Sequence, residues 1–264
     1  MHSQQIPFII YNNVNLQLHN EKMHITIHSL YSQIFKIWRK LRFKKFLEIL
    51  QPGSQENLLD VGGTPQFWFQ HPRFVREIVV INNHKFSWEP ELCPTYHLQF
   101  VIADGCQLPL RDFKFEIGFS NSVIEHVGSW EKQKKFAAEI SRASQKMWLQ
   151  TPAYECPVEP HYLALFFHYF PPRIQKRLLR WLSPWGWIAK PSQIEIDRMV
   201  DTTRLIRKNE MFELFPDCEI YTEKFLFFFP KSYIAVRKPL ELIGLEKCVC
   251  WTRVTHFTLN LKSK

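Results

Sequence analysis

Five short apolar runs recur between residues 57 and 152, and each ends on glycine, asparagine, serine or proline. They read NLLDVGG at 57–63, EIVVINN at 77–83, LQFVIADG at 98–105, FEIGFSNS at 115–122 and KMWLQTP at 146–152. Apolar runs of this length with such punctuation predict strands buried on both faces. Before the fifth run lies SWEKQKKFAAEISRAS at 129–144, which has helical spacing and Ser129 in place as an N-cap. Strands alternating with helical pieces predict an α/β fold built on a mostly parallel sheet.

The alternation stops after Pro152. Residues 153–200 hold Pro157, Pro160, Pro171, Pro172, Pro184 and Pro191 and the basic, aromatic piece RIQKRLLRWLSPWGW. They are expected to form a helical lid over the carboxyl ends of the strands, with aromatic side chains inward and Arg173, Lys176, Arg177 and Arg180 outward. DTTRLIRKNEMFELF at 201–215 has helical spacing, and CEIYTEKFLFF and KSYIAVRK predict two antiparallel strands turning at Pro230. Residues 21–50 carry Ile27, Leu30, Ile34, Ile37, Leu41, Phe46 and Ile49 at the spacing of one or two amphipathic helices, stopped by QPGSQ. The predicted division is an N-terminal helical segment at 1–54, a main domain at 55–237 and a tail at 238–264.

Charge and cysteine usage narrow the function classes. The net charge of +9 permits anionic partners, but there is no dense Lys/Arg block, so a solvated basic surface is the simpler reading. The six cysteines follow no zinc-binding spacing, and Cys248 and Cys250 make a lone C-x-C. No metal site is assigned, and free thiols fit a reducing, cytoplasmic setting. The first fifteen residues lack a basic start followed by a long apolar core, and FLFFF at 225–229 is too short to span a bilayer.

Two glycines after the first run, Gly62 and Gly63, predict a backbone that something approaches closely. This is not the G-x-G-x-x-G of dinucleotide-binding proteins. Asp60-Val-Gly62-Gly63-Thr64 instead resembles the first motif of class I S-adenosylmethionine-dependent methyltransferases, with Pro65 where a later glycine is usual. IADGCQLPLRDFKFEIGFSNSVIEHV at 102–127 resembles the same family, of the type 11 kind, over its whole length, and the closing strands resemble it too.

The resemblance implies a Rossmann-like, mostly parallel sheet with an antiparallel last strand, and S-adenosylmethionine as cofactor. Its methionine and ribose parts are expected against Asp60, Gly62 and Gly63. The ribose hydroxyls are expected at Asn82, where the family usually has an acid; Asp at position 82 is therefore expected to bind more tightly than the amide. Asp104 is expected to hold the adenine amino group, Gly105 and Cys106 the adenine edge, and Asn121 and Ser122 the floor under the methionine part. His126, following the fourth strand, is the candidate catalytic base, imidazole being the side chain that titrates near neutrality. Glu159, His161 and His168 are candidate substrate or lid residues, and a helix would put both histidines on one side.

The implied function is methyl transfer to a small or lipid-like acceptor. Trp181, Trp185 and Trp187, set between Arg and Lys, fit equally a peripheral membrane contact and a buried hydrophobic lid. Nucleic acid is not favoured as acceptor, because SNSV stands where an N-P-P-Y-type tetrad is needed. The alternative is a decayed methyltransferase fold that acts as a binding or interaction protein.

Overall fold

A computed structural model describes residues 27–86, 97–225 and 228–238, with side chains described from residue 38 onward. Cys93, the Cys248–Cys250 pair, residues 1–20 and the tail from 239 lie outside the described residues. The chain divides into two compact units, Met1–Gln51 and Pro52–Lys264.

In the first unit one helix, α1 (Ile27–Leu50), spans the region read as one or two. Its buried stripe is Phe43, Phe46 and Leu50, while Leu41, expected on the apolar side, is 59% exposed.

The second unit is built on a seven-stranded sheet. Its strands are β1 (Asn57–Val61), β2 (Glu77–Asn82), β3 (His97–Ile102), β4 (Phe115–Asn121), β5 (Ser144–Pro152), β8 (Glu219–Phe225) and β9 (Phe229–Arg237). The order is β3-β2-β1-β4-β5-β9-β8. The first five run parallel, β9 is antiparallel to β5, and β8 is antiparallel to β9. The antiparallel close expected from the sequence is therefore present.

Leu58, Leu59, Val61, Ile78, Val80 and Ile81 are at most 1% exposed, as central parallel strands covered on both faces require. The predicted turn at Pro230 is displaced. Pro230 lies inside β9 opposite Lys224, next to a register shift at Glu223/Lys224. A bulge is one of the few places where a sheet tolerates a residue without an N–H.

Helix α3 (Trp130–Ala143) begins where the sequence predicts, with Ser129 Oγ accepting from Lys132 N. Phe136, Ala137, Ile140 and Ala143 are buried at helical spacing in the main core. Each such apolar side chain contributes roughly 1.5–3 kcal/mol when large.

The lid is only partly helical. It opens with a short hairpin of two-residue strands, β6 (Val158–Glu159) and β7 (Ala164–Leu165), followed by a 3₁₀ turn at Phe167–Tyr169. Helices α4 (Pro172–Leu182), α5 (Pro184–Ala189) and α6 (Gln193–Thr202) follow. They share a small core of Tyr162, Phe167, Leu179, Trp185, Ile196 and Val200. Residues 203–207, read as helical, are extended; Ile206 bridges to Ala153, and α7 (Lys208–Leu214) starts only afterwards. No described helix is long and apolar enough to cross a membrane.

Candidate functional site

The corner after β1 is closed by the chain itself. Gly62 has φ +85°, and a Cβ there would lie 2.2 Å from Val123 Cγ1. A Cβ on Gly63 would lie 1.8 Å from Asp60 Oδ2. The groups that demand glycine here are thus a valine of the turn after β4 and the carboxylate three residues upstream. The cofactor contact expected at these two positions is not what excludes a side chain.

Pro65 has a separate explanation. It is the first residue of the short helix α2 (Pro65–Trp68), where its fixed φ suits a helix start. That single turn returns the Trp68 indole to the strand end, and its Nε1 donates to Asp60 Oδ2 at 2.8 Å. Trp68 is fully buried and packs edge-on against Phe119 of β4 at 5.2 Å between ring centres. Asp60 is 1% exposed, and its other oxygen, Oδ1, has no hydrogen-bond partner among the described residues. Burial pushes its pKa up to about 7, against the opposing pull of the Trp68 hydrogen bond.

Asn82 is also turned inward. Its Nδ2 donates to Gly62 O at 2.9 Å and to Gly63 O at 3.0 Å, and its Oδ1 accepts from His84 N at 3.1 Å. The amide expected at the ribose therefore fastens the glycine corner to the end of β2. An amide can do this because it donates as well as accepts; a carboxylate cannot.

The remaining predicted cofactor residues gather at neighbouring strand ends. Asp104 follows β3, is exposed, and accepts from Cys106 N at 2.8 Å in a tight turn. A Cβ on Gly105 would lie 2.6 Å from the Phe136 ring. The Cys106 thiol, turned toward Lys132 O, has its pKa pushed up to about 11 by burial and by Asp104, which disfavours the thiolate. Asn121 ends β4, and Ser122 takes a left-handed φ of 56° while its N and Oγ bond Gln150 O and Oε1, each at 2.9 Å.

A second constellation lies where the lid meets the turn after β4. His126 Nε2 and His161 Nε2 face each other at 3.0 Å. His161 Nδ1 lies 2.5 Å from Glu159 Oε1, and Glu159 Oε2 accepts from the N–H groups of His161 and Tyr162, each at 2.8 Å. Glu125 Oε1 is 4.0 Å from His126 Nε2, while its Oε2 accepts from Thr151 Oγ1 at 2.9 Å. Glu125 and Glu159 are fully buried, and the two imidazoles are 20% and 17% exposed.

Burial, and then the facing His161, push the His126 pKa down to about 3. Burial lowers that of His161 too, but the Glu159 carboxylate and its hydrogen bond outweigh it, so the net shift is upward. Gln133 of α3 steadies the turn from behind: its Nε2 donates to Ile124 O and to Arg204 O, and its Oε1 accepts from Arg204 Nη1.

Four expectations differ from the structure. His161 and His168 do not share a helix face, because residues 158–165 form a hairpin; His168 bonds Tyr154 O at 2.8 Å, away from the other two imidazoles. The sequence showed no third ligand beside the lid histidines, yet Glu125, His126 and His161 place one ligand atom each within 4.8 Å of one another, a group able to hold a metal ion. The lid aromatics are not all inward: Tyr162, Phe167 and Trp185 are, but Trp181 and Trp187 are 68% and 61% exposed. Arg173, Arg177 and Arg180 do point outward, whereas Lys176 is half-buried against Asp201.

Residues 72–146 match the family model of the methyltransferase domain. The glycine corner lies outside that match, in keeping with its departure from the usual motif. No curated protein matches the chain. Among solved structures, a Burkholderia thailandensis 1,6-didemethyltoxoflavin-N1-methyltransferase, with 1,6-didemethyltoxoflavin and S-adenosylhomocysteine bound, aligns at TM-score 0.43 and 11% identity, over 69% of this chain and 70% of that one. A Methanosarcina mazei S-adenosylmethionine-dependent methyltransferase aligns at 0.42 and 11%, over 71% and 94%. A Rhodobacter sphaeroides structure named for zinc-dependent alcohol dehydrogenases aligns at 0.47 and 14%, over 72% and 86%. Likenesses this distant carry no argument about activity. The methyltransferase-domain match across 72–146, and the parallel sheet closed by an antiparallel pair, are consistent with a class I S-adenosylmethionine-dependent methyltransferase.

Proposed function

We propose that the protein binds S-adenosylmethionine and transfers its methyl group to a small or lipid-like acceptor. The observation that carries this reading is Asp60 Oδ1, a buried carboxylate oxygen without a hydrogen-bond partner among the described residues, at the carboxyl end of β1. Open parallel sheets bind ligands at such ends, and a buried oxygen of this kind calls for a donor such as the cofactor's amino group. Asp104, exposed at the end of β3 two strands away, is the acceptor for the adenine amino group. Asn82 serves the cofactor indirectly, by fixing the corner. When bound, the cofactor supplies an electrophilic methyl on a sulfonium; the chain's own part is to align acceptor and methyl and to exclude water.

Calorimetric titration of the purified chain with S-adenosylmethionine and with its demethylated product tests the reading. Binding weakened about ten-fold or more by Asp104→Ala supports it, since a charge-assisted bond is worth roughly 1.5–3 kcal/mol. A folded protein that gives no heat at millimolar ligand favours the decayed-fold alternative.

The surface of the lid supports a lipid-like acceptor. Among the described residues most of the large exposed apolar side chains lie between 165 and 194, including Trp181, Trp187, Ile188 and Ile194. Arg173, Arg177 and Arg180 are exposed on α4 in the same segment. Exposed tryptophans beside basic side chains suit the interface of an anionic bilayer. Co-sedimentation with phosphatidylserine vesicles, lost when the three arginines become alanine, is the expected result. Equal recovery with neutral and anionic vesicles would remove the membrane from this reading.

A further inference from the structure

We infer that Glu125, His126 and His161 form a binding site for one divalent transition-metal ion of the zinc class. The inference stands apart from the cofactor reading, because it rests on groups outside the glycine corner. Two imidazole Nε2 atoms, from segments 35 residues apart, converge to 3.0 Å, with a fully buried carboxylate oxygen 4.0 Å from one of them. All three ligand atoms fit within 4.8 Å of one another. Tetrahedral zinc with Zn–N bonds of about 2.0–2.1 Å separates its ligand atoms by about 3.3 Å. The imidazoles would part by a few tenths of an ångström and the carboxylate would close in by somewhat more.

The surroundings match what such sites require. Glu159 holds Nδ1 of His161 and is itself held by two backbone N–H groups, so the Nε2 lone pair is aimed by a buried carboxylate. A carboxylate behind a ligating histidine is the usual outer support of a zinc ligand. Thr151 fixes the second oxygen of Glu125 and leaves Oε1 on the histidine side. Gln133 pins the backbone of Ile124, two residues before His126. Two histidines and one glutamate leave a fourth position open, the pattern of a catalytic rather than a structural zinc site. An acceptor oxygen taken up there would lose its proton more readily.

The test uses the full chain after chelator treatment, titrated with Co²⁺ and followed by visible absorption, with Zn²⁺ competition. One ion per chain is expected, with the absorption of a four- or five-coordinate ion, displaced by Zn²⁺. His126→Gln and His161→Gln should each abolish this signal. Glu159→Gln should weaken binding by about 10–100-fold, as loss of an outer carboxylate does. His168→Gln should leave it unchanged, because His168 faces Tyr154. X-ray absorption of the wild-type zinc form needs no variant and should show two imidazoles with oxygen and no sulfur. Failure of the wild-type chain to take up Co²⁺, undiminished uptake by the His126/His161 double variant, or a sulfur ligand would each overturn the site. None of these readouts involves S-adenosylmethionine, so the two proposals fail separately.

Discussion

The glycine corner and the histidine cluster sit at the carboxyl ends of adjacent strands, β1 and β4, and use their polar side chains in opposite ways. At the corner nearly every polar group is turned onto the chain. Asn82 bonds the carbonyls of Gly62 and Gly63, Trp68 reaches Asp60, and Ser120 Oγ donates to Val61 O at 2.9 Å. At the cluster the supporting groups bring one side-chain atom each of Glu125, His126 and His161 within 4.8 Å of one another. The first region is a frame that shapes a loop; the second is a set of groups held ready for something else. Proximity to a strand end does not by itself say which of the two a residue belongs to.

The comparison breaks most visibly at Trp68. Trp68→Ala removes a fully buried ring and the hydrogen-bond donor of a buried carboxylate, and should cost about 5 kcal/mol in urea unfolding near pH 8. A loss below about 2 kcal/mol would mean that the corner does not depend on the indole.

Asp60 should give the next largest effect, as a dependence on pH. Its folded pKa of about 7 lies above the ordinary 3.8 because burial disfavours the charge. Below about pH 4 both states hold the proton and no penalty exists. Between about 4 and 7 the folded chain retains a proton that the unfolded chain releases, so this group lowers stability as pH rises, and the penalty is constant above. Asp60→Asn carries no such charge. Relative to wild type the variant should gain on the order of 4 kcal/mol between pH 4 and 8, read from paired urea midpoints. A difference independent of pH would show that Asp60 stays ionised.

Asn82→Asp separates frame from ligand contact directly. A ribose-binding role predicts tighter cofactor binding. The observed geometry would put a carboxylate against two carbonyl oxygens, so the expectation is a loss of about 3 kcal/mol in stability and weaker, not stronger, S-adenosylmethionine binding. Tighter binding at unchanged stability would return Asn82 to the ribose. The smallest effect belongs to the lid: Trp181→Ser with Trp187→Ser should alter stability by under about 0.5 kcal/mol per site, as exposed positions do. A marked fall in melting temperature would place these side chains in a packed interface.

Most strands were legible because buried parallel strands write themselves as apolar runs with polar ends, and the helix at 130–143 because Ser129 and the spacing of Phe136 and Ile140 agree. The third run is the exception in burial: β3 lies at the sheet edge, none of its residues is buried, and Ile102 is 57% exposed. The destinations of polar side chains were not legible. Nothing local in INN distinguishes an amide facing a ligand from one facing Gly62 and Gly63. Glu125 meets His161 only because the lid hairpin returns to β4, a contact across 36 residues that no periodicity encodes. The helical spacing of His161 and His168 misled for the same reason, since Pro157 and Pro160 favour a hairpin there. Asp60 with Trp68 eight residues on, across a proline that can start a helix, was the one readable hint of the frame.

The position of β1 also sets a schedule. Its partners are β2, sixteen residues downstream of Val61, and β4, which begins only at Phe115. During synthesis the hydrogen-bonding edge of β1 that β4 will cover therefore stays open while more than fifty residues are added. At about 5–20 residues per second that is roughly 3–10 s. An uncovered strand edge invites pairing with other chains. The nascent protein is most exposed to aggregation and to chaperone capture in this interval, and slow codons placed between the two strands would lengthen it.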